Sequence, residues 1–135
     1  MSNRSIAESY FQAITRGDVE GALAAFAPGA EFVEPGGGVP FPEGVRAMLG
    51  GYDTAFPGSR FEVKLAVENG ADLAVEGVWI GKHTGPMQLP DGRKLPATNK
   101  EVRAPFVTIF RIRDGKLSAH RAYWDMAGFM AQLSG

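Results

Sequence analysis

Asp125 is the first candidate for proton transfer in this sequence. It directly follows Tyr123 and Trp124, two aromatic residues that end a predicted strand. A carboxylate that loses hydration beside aromatic rings holds its proton more readily, which suits a general acid or base. An aspartate also suits the N-cap of a helix beginning at Met126, because its side chain accepts hydrogen bonds from unpaired backbone amides. Both roles are open for Asp125.

His120 is the second candidate. It alternates with Ala122 and Trp124 along the predicted strand, so the three side chains lie on one face of a sheet. An imidazole can take up or release a proton near neutral pH. The alternative is a histidine that only forms hydrogen bonds within a half-buried surface. His83 is the only other histidine and the chain has no cysteine, so the spacing typical of a metal site is absent.

Tyr10 and Glu34 are polar residues set among apolar ones in the first third of the chain. Tyr10 shares a predicted helix face with Ile6 and Ile14, and Glu34 ends a predicted strand just before Pro35. The tyrosine either packs in the core or brings its hydroxyl to the rim of a pocket. The glutamate is either buried or solvated at the strand end.

Apolar residues at helical spacing predict three helices in the first half of the chain. The first ends at Gly17, and Asp18 caps a second, short helix whose apolar face includes Phe26. A strand is predicted at residues 31–34, and the run of glycines after it predicts irregular structure. The third helix is predicted at residues 43–56.

The hydrophobic period changes to strict alternation at Arg60, which predicts strands in the second half. Asn69-Gly70 and Asp114-Gly115 are typical of tight turns between neighbouring strands. Residues 84–99 are rich in proline and glycine. They predict a long loop, or two strand tips joined at Asp91-Gly92. Beyond the strand from Arg60, the predicted elements are strands at 73–83, 102–112 and 117–124, the loop at 84–99 and a final helix at 126–133.

This order predicts one α+β domain over residues 1–135, with three N-terminal helices packed on a curved antiparallel sheet and a short C-terminal helix. The 135 residues are 44% hydrophobic and carry a net charge of −1, which argues against disorder and against a nucleic-acid partner. No stretch has the length or apolar character of a signal peptide or a membrane span. We therefore expect a cytoplasmic protein with no membrane partner.

Several motifs resemble the SnoaL-like family of the nuclear transport factor 2-like superfamily. Residues 10–18 (YFQAITRGD) resemble the end of that family's first helix, and residues 81–85 (GKHTG) resemble its Gly-x-His-x-Gly turn. Residues 110–117, together with the tail from His120 to Leu133, resemble its closing hairpin and helix. The resemblance implies a cone-shaped fold in which a curved sheet wraps a helix and leaves an apolar pocket. It also implies a homodimer.

The resemblance to SnoaL-like polyketide cyclases implies roles for three residues near the C-terminal strands. Asp125 matches the catalytic acid/base of those enzymes, and His120 matches a pocket histidine. His83 matches the turn histidine, for which we expect a role in anchoring the adjacent loop.

A second resemblance, to the ketosteroid isomerases of the same superfamily, implies a different catalytic base in this protein. Tyr10 and Glu34 are similar in position to their phenol donor and general-base aspartate, and Thr108 stands where they have a second oxyanion donor. In that chemistry a carboxylate removes a proton α to a carbonyl and a phenol stabilises the enolate. Epoxide hydrolysis in the superfamily uses an arginine between two carboxylates, and residues 74–83 contain no arginine.

Large apolar and aromatic residues exceed what a small core requires, so we expect some to line a pocket for an apolar small molecule, although a solid aromatic core is the alternative. Two hypotheses follow. The protein is a cofactor-independent cyclase or isomerase with Asp125, His120, Glu34 and Tyr10 at its site, or a non-catalytic ligand-binding or dimeric module. Neither hypothesis requires a metal or a cofactor. The predicted substrate-binding residues are Phe41, Met48, Tyr52, Phe56, Trp79, His83, Phe106, Thr108, Phe110, Trp124 and Phe129.

Overall fold

Three helices lie in the first 55 residues, six consecutive strands follow them and a fourth helix comes after these strands, an order that confirms the predicted α+β class. The computed structural model describes residues 1–89 and 91–134 and contains four helices and eight strands within them. None of the described helices is long and apolar enough to cross a membrane. The elements are α1 (Asn3–Thr15), α2 (Val19–Ala24), β1 (Phe26–Glu34), β2 (Gly37–Gly38), α3 (Glu43–Ala55), β3 (Arg60–Asn69), β4 (Asp72–Lys82), β5 (Met87–Gln88), β6 (Lys94–Leu95), β7 (Glu101–Arg113), β8 (Lys116–Trp124) and α4 (Met126–Ser134).

Six strands form one curved sheet in the order β2-β1-β8-β7-β4-β3. Most neighbours are antiparallel, as predicted, and the hairpin turns at Asn69-Gly70 and Asp114-Gly115 are present. The pairing of β1 with β8 is parallel, which corrects the prediction of a wholly antiparallel sheet. Parallel strands need a long crossover connection, and here residues 35–115, more than half of the chain, lie between them.

Gly17 and Asp18, which the sequence indicates as helix boundaries, are boundaries in the structure, but the second helix ends at Ala24, earlier than predicted. Gly17, with a positive φ of 73°, ends the first helical segment, and Asp18 caps α2 by accepting from the backbone N–H of Gly21 at 2.9 Å. The prediction that Phe26 lies on the face of α2 is wrong. Phe26 opens β1 and pairs with Leu117 of β8, so its ring enters the core from the sheet.

Two segments expected to be irregular contain short strands. Gly37–Gly38 forms β2, which pairs with Val33 and Glu34 of β1. In the loop at 84–99, β5 and β6 pair as two strand tips, which confirms that alternative; residue 90 of the predicted loop lies outside the described residues. Glycine adopts positive φ without the steric cost that other residues pay, so it suits the turn of a hairpin.

The concave face of the sheet packs against α1 and α3 and forms the main apolar core. On this face the β4 and β7 residues Leu73, Val75, Phe106 and Phe110 are all buried, at alternating positions along their strands. A second cluster, around Phe56 and Phe129, joins the end of α3 to α4. The candidate site lies between these two clusters, on the same concave face.

Candidate functional site

Glu34, His120 and Trp124 form a hydrogen-bonded group on the concave face of the sheet. His120 Nε2 lies 2.7 Å from Oε2 of Glu34, and Trp124 Nε1 donates to Oε1 of Glu34 at 3.0 Å. The Glu34 side chain is 16% exposed and that of His120 is 6% exposed. When the glutamate is ionised, each carboxylate oxygen therefore accepts from a ring N–H, which fixes the carboxylate in one orientation.

The parallel pairing of β1 with β8 brings these three residues together. Phe32 lies opposite His120 in the register of the two strands. Glu34 is two residues beyond Phe32, and Trp124 is an even number of residues beyond His120, so alternation places all four side chains on one face. The predicted common face of His120, Ala122 and Trp124 is confirmed by their shared position at the cavity.

Aromatic rings hold the imidazole of His120 in place. Phe32 stacks on it with ring centroids 3.9 Å apart and planes 5° apart, and the rings of Tyr10 and Phe110 meet it edge-on. Its Nδ1 atom is buried and has no hydrogen-bond partner among the described residues. The tautomer that suits an ionised Glu34 carries its proton on Nε2 and donates it to the carboxylate.

Two tyrosines face the Glu34 carboxylate. Burial, together with the negative charge of Glu34, raises the pKa of the Tyr10 phenol well above its ordinary value. The same two causes, burial first, raise the pKa of Tyr52 to about 12. Both phenols therefore remain protonated at neutral pH and can donate a hydrogen bond. The two donors and the carboxylate lie at one apolar cavity.

The cavity has a volume of about 100 Å³ and is lined mainly by apolar side chains. It lies between the concave face of the sheet and helices α1, α3 and α4. A predominantly apolar cavity with a few convergent polar groups is typical of a small-molecule site. Its lining residues are Tyr10, Phe11, Ile14, Glu34, Met48, Leu49, Tyr52, Ser59, Phe61, Trp79, Ala104, Phe106, Thr108, His120, Ala122, Trp124 and Phe129.

Most of the residues predicted to bind substrate reach this cavity, and four do not. Phe110 lies behind it, fully buried against the rings of Tyr10 and Phe11. Phe56 is fully buried in the cluster that joins α3 and α4, and Phe41 packs beside Phe26. None of these three phenylalanines is among the residues that line the cavity, which corrects the expectation that they do. The residues that do reach it are Met48, Tyr52, Trp79, Phe106, Thr108, Trp124 and Phe129.

His83, the fourth of these residues, anchors the loop after β4. Its Nδ1 accepts a hydrogen bond from the backbone N–H of Thr98 at 3.1 Å and lies 3.0 Å from the Thr98 hydroxyl oxygen. Burial lowers the pKa of His83, which favours the neutral ring that this bond needs. These contacts match the loop-anchoring role expected for His83 and correct its placement among the substrate-binding residues.

The structure places Asp125 outside the cavity. Its side chain is exposed, and its Oδ1 accepts from the backbone N–H of Gly128 at 2.9 Å. This is the helix-capping geometry that the sequence left open as the alternative role. Of the four predicted catalytic residues, Glu34, His120 and Tyr10 therefore lie together and Asp125 does not.

Several cavity residues were not predicted from the sequence. Phe61 and Ala104 are cross-strand neighbours of Trp79, so they share its face, but that requires the strand register to be known. Ser59 follows the end of α3 in a turn, and no periodic pattern covers it. Ile14 and Leu49 continue the apolar faces of α1 and α3 and could equally have been core residues.

No group of three or more histidine, cysteine or acidic side chains within residues 1–89 and 91–134 is arranged to hold a metal ion. The polar atoms at the cavity are one carboxylate, imidazole and indole nitrogens, and hydroxyl groups. This donor set suits the binding of a carbonyl oxygen and the transfer of a proton.

The sequence profile of the SnoaL-like domain matches residues 7–120. The chain therefore belongs to the SnoaL-like family, which confirms the resemblance drawn from its motifs. No protein of curated function matches the chain significantly. The matched range contains Tyr10, Glu34 and His120 and ends before Trp124 and Asp125.

Solved structures with the same fold include a candidate SnoaL-like polyketide cyclase from Jannaschia sp. CCS1, with a TM-score of 0.83, 20% identity, and 98% of this chain and 92% of that chain covered. IdmH, a candidate polyketide cyclase from Streptomyces antibioticus, has a TM-score of 0.80 and 21% identity over 100% of both chains. TerC, which was co-crystallised with polyporic acid, has a TM-score of 0.74 and 20% identity over 98% of both chains. At these identities the likeness shows the fold.

Proposed function

We propose that this protein is a cofactor-independent isomerase or cyclase that moves a proton on a hydrophobic, carbonyl-bearing small molecule. One observation carries the proposal: the Glu34 carboxylate lines an apolar cavity while His120 and Trp124 hold it by two N–H groups. Enolisation needs a positioned base for the proton α to the carbonyl and a donor for the oxygen that becomes negative. Glu34 supplies the first, and the phenol of Tyr10 supplies the second.

In the first step a Glu34 oxygen takes the proton from the carbon α to the substrate carbonyl. The electron pair of that C–H bond forms the enolate, and the negative charge moves to the carbonyl oxygen. Tyr10 donates a hydrogen bond to this oxygen, with the buried hydroxyl of Thr108 as a second donor at the same cavity. A phenol with a strongly raised pKa does not give up its proton fully, so it acts as a hydrogen-bond donor.

The second step decides between the two reactions. In an isomerase, protonated Glu34 returns the proton to a different carbon of the conjugated enolate. In a cyclase, the enolate carbon forms a bond to a second carbonyl carbon of the same molecule, and Glu34 gives its proton to the resulting alkoxide. Both routes restore the carboxylate, and neither consumes an external reagent.

His120 and Trp124 act as positioning residues in this proposal. Each holds one oxygen of Glu34, so the carboxylate loses little freedom when substrate binds. The stacking of Phe32 on His120 keeps the imidazole from turning away. Asp125, the acid/base implied by the resemblance to polyketide cyclases, is assigned to capping α4 because its carboxylate is exposed and away from the cavity.

The experiment that tests this proposal is deuterium exchange at the α-carbon of enolisable apolar ketones, such as cyclohexanone and 2-tetralone, followed by NMR in D₂O. The wild-type protein is expected to accelerate exchange for a ketone that it binds, and Glu34→Gln to reduce that acceleration by about 10²–10⁴-fold, the usual contribution of a general base. Asp125→Asn is the control and is expected to exchange as the wild type does.

We also propose that the protein forms a homodimer through the convex face of the sheet. Leu65, Val67 and Tyr123 are each more than half exposed there, at 53%, 54% and 52%. The ion pair between Arg111 and Asp72 lies two residues along β7 and β4 from Ile109 and Ala74, which are in register with Val67. A second copy related by a two-fold axis would bring two identical apolar patches together.

The second hypothesis, a non-catalytic module that binds an apolar small molecule, draws support from the predominantly apolar lining of the cavity. Under that hypothesis Glu34 would orient a ligand by accepting a hydrogen bond. Ketone binding without accelerated exchange, together with weaker binding in Glu34→Gln, would favour it over the isomerase or cyclase.

A further inference from the structure

Four hydroxyl groups line the cavity without a hydrogen-bond partner in the described part of the chain. They belong to Tyr10, Tyr52, Ser59 and Thr108. All four residues are buried or half-buried, yet each hydroxyl oxygen keeps some contact with open space. Buried polar groups are almost always hydrogen-bonded. The four hydroxyls therefore indicate that the molecule occupying the cavity carries acceptor atoms of its own.

Two of these hydroxyls, those of Tyr10 and Thr108, lie at the end of the cavity near His120. The ring centroid of Tyr10 is 5.7 Å from that of His120. Thr108 is in register with Ala122, two residues beyond His120 on β8. This first pair of hydroxyls is the pair that donates to the carbonyl oxygen in the proposed function.

The other two hydroxyls, those of Tyr52 and Ser59, lie near Trp79. The ring centroid of Tyr52 is 6.3 Å from that of Trp79. Ser59 is two residues before Phe61, which is in register with Trp79, so alternation places Ser59 on the same face of the sheet. The proposed function gives this second pair of hydroxyls no partner.

An apolar stretch one small ring in size separates the two pairs. Trp79 is in register with Ala104 of β7, four residues from Thr108, which corresponds to about 13 Å along the strand. The ring of Phe129 lies between those of Trp79 and Trp124, at 6.0 and 5.6 Å from them. An apolar cavity of about 150 Å³ can hold benzene. The volume of about 100 Å³ here therefore limits the occupant to a single small ring.

We propose that the substrate is a small cyclic ketone with a second acceptor oxygen on the far side of its ring, which Tyr52 and Ser59 bind. Tyr10 and Thr108 bind the first oxygen. The charge of Glu34 contributes to the raised pKa of both phenols, which places its carboxylate within reach of the ring carbons between the two oxygens. This inference rests on the proposed function for the carbonyl end and adds the second polar group of the substrate.

The test compares 1,4-cyclohexanedione with 4-methylenecyclohexanone by isothermal titration calorimetry. The two probes have nearly the same shape, and a methylene group replaces the second oxygen in the latter. The wild type is expected to bind the dione about tenfold more tightly, the effect of one good hydrogen bond. In Tyr52→Phe/Ser59→Ala that preference is expected to fall to about twofold or less, because the second oxygen then enters the cavity without a donor.

Two comparisons locate the effect. Tyr123→Phe/Ser134→Ala removes the same two hydroxyls from exposed positions outside the cavity and should keep the preference. Tyr10→Phe should weaken the binding of both ketones alike, because both present a carbonyl to that end. If circular dichroism shows that Tyr52→Phe/Ser59→Ala is unfolded, Tyr52→Phe alone, which retains the ring, takes its place and should lower the preference at least threefold.

Equal affinity of the wild type for the two ketones would overturn the inference. So would a preference that survives the loss of the Tyr52 and Ser59 hydroxyls, its loss in Tyr123→Phe/Ser134→Ala, or no binding of either ketone. The proposed function is judged separately, by deuterium exchange that depends on Glu34. Exchange without a dione preference would keep the enzyme and remove the second oxygen site, whereas the preference without exchange would keep the ligand class and remove the enzyme.

Discussion

Glu34 and His120 are 86 residues apart in the sequence, yet Oε2 of the first lies 2.7 Å from Nε2 of the second. Both side chains are largely withdrawn from water, and both line the apolar cavity. Bonds of this kind to a charged group are stronger than neutral ones, and leaving one partner unpaired is costly. The pair therefore both joins β1 to β8 and presents a fixed carboxylate to the cavity.

A double-mutant cycle should reveal strong coupling between Glu34 and His120. We expect Glu34→Ala and His120→Ala, measured by urea denaturation singly and together, to show a coupling free energy of about 1.5–3 kcal/mol, because the hydrogen bond is charge-assisted and shielded from water. The matched control is the ion pair of Glu31 with Arg121, at 2.9 Å between the same two strands but more exposed. Its coupling should stay below about 1 kcal/mol, and equal values for the two pairs would contradict the account.

Asp125→Ala should lower the free energy of unfolding by about 1 kcal/mol, the usual cost of losing a helix N-cap. Asp125→Ser should recover most of that loss, because serine can also accept from the N–H of Gly128, which Asp125 caps at 2.9 Å. Thermal denaturation of the three proteins provides the measurement. A serine variant as unstable as the alanine variant would show that the carboxylate has a role other than capping.

The lowered pKa of His83 predicts that the stability of the folded protein decreases at acidic pH. Burial lowers the pKa of His83 in the folded protein, so below about pH 6.5 the unfolded chain takes up a proton that the folded chain resists. Stability from this residue is thus fully present above pH 6.5 and is lost as the pH falls toward the lowered value, by at most about 1.4 kcal/mol per pH unit.

The comparison that isolates this effect uses His83→Asn, since the asparagine oxygen can accept the hydrogen bond that Thr98 N–H donates to Nδ1. Urea denaturation of both proteins at pH 7.5, 6.5 and 5.5 should show the wild type losing stability faster. If the free energies of unfolding of the two proteins changed equally with pH, His83 would have the same pKa in the folded and the unfolded protein.

The homodimer gives a prediction for the convex face. Sedimentation at micromolar concentration should show a dimer for the wild type and a monomer for Leu65→Glu, because a charge at a half-exposed apolar position disrupts two-fold packing. Met126→Glu makes the same change at an exposed methionine on α4 and should leave the dimer intact. A monomeric wild type would remove the proposal.

The local pattern of β8 was enough to place part of the site. Two-residue alternation put His120, Ala122 and Trp124 on one face, and all three line the cavity. Asp125 directly follows the inward-facing Trp124, where the strand ends and α4 begins, and its carboxylate turns to the helix amides. The sequence left both roles open for Asp125, because the pattern of β8 does not extend past Trp124 to show which way the next side chain turns.

The Glu34–His120 contact could not be predicted from local pattern. It depends on a parallel pairing of β1 with β8 and on an irregularity between Phe26 and Glu31 that sets which residue lies opposite His120. The hydrophobic pattern of β1 or of β8 alone does not show which residues of the two strands lie opposite each other. For the same reason the sequence could not separate Phe61, which lines the cavity, from Phe110, which lies behind it.

The most direct test of the central claim, that Glu34 is the base, is the rate of α-deuterium exchange in a bound ketone by the wild type, Glu34→Gln, Glu34→Asp and Asp125→Asn. If Glu34 is the base, exchange should fall by about 10²–10⁴-fold in Glu34→Gln, stay partly active in Glu34→Asp and remain at the wild-type rate in Asp125→Asn. Wild-type exchange in Glu34→Gln, or its abolition in Asp125→Asn alone, would contradict it.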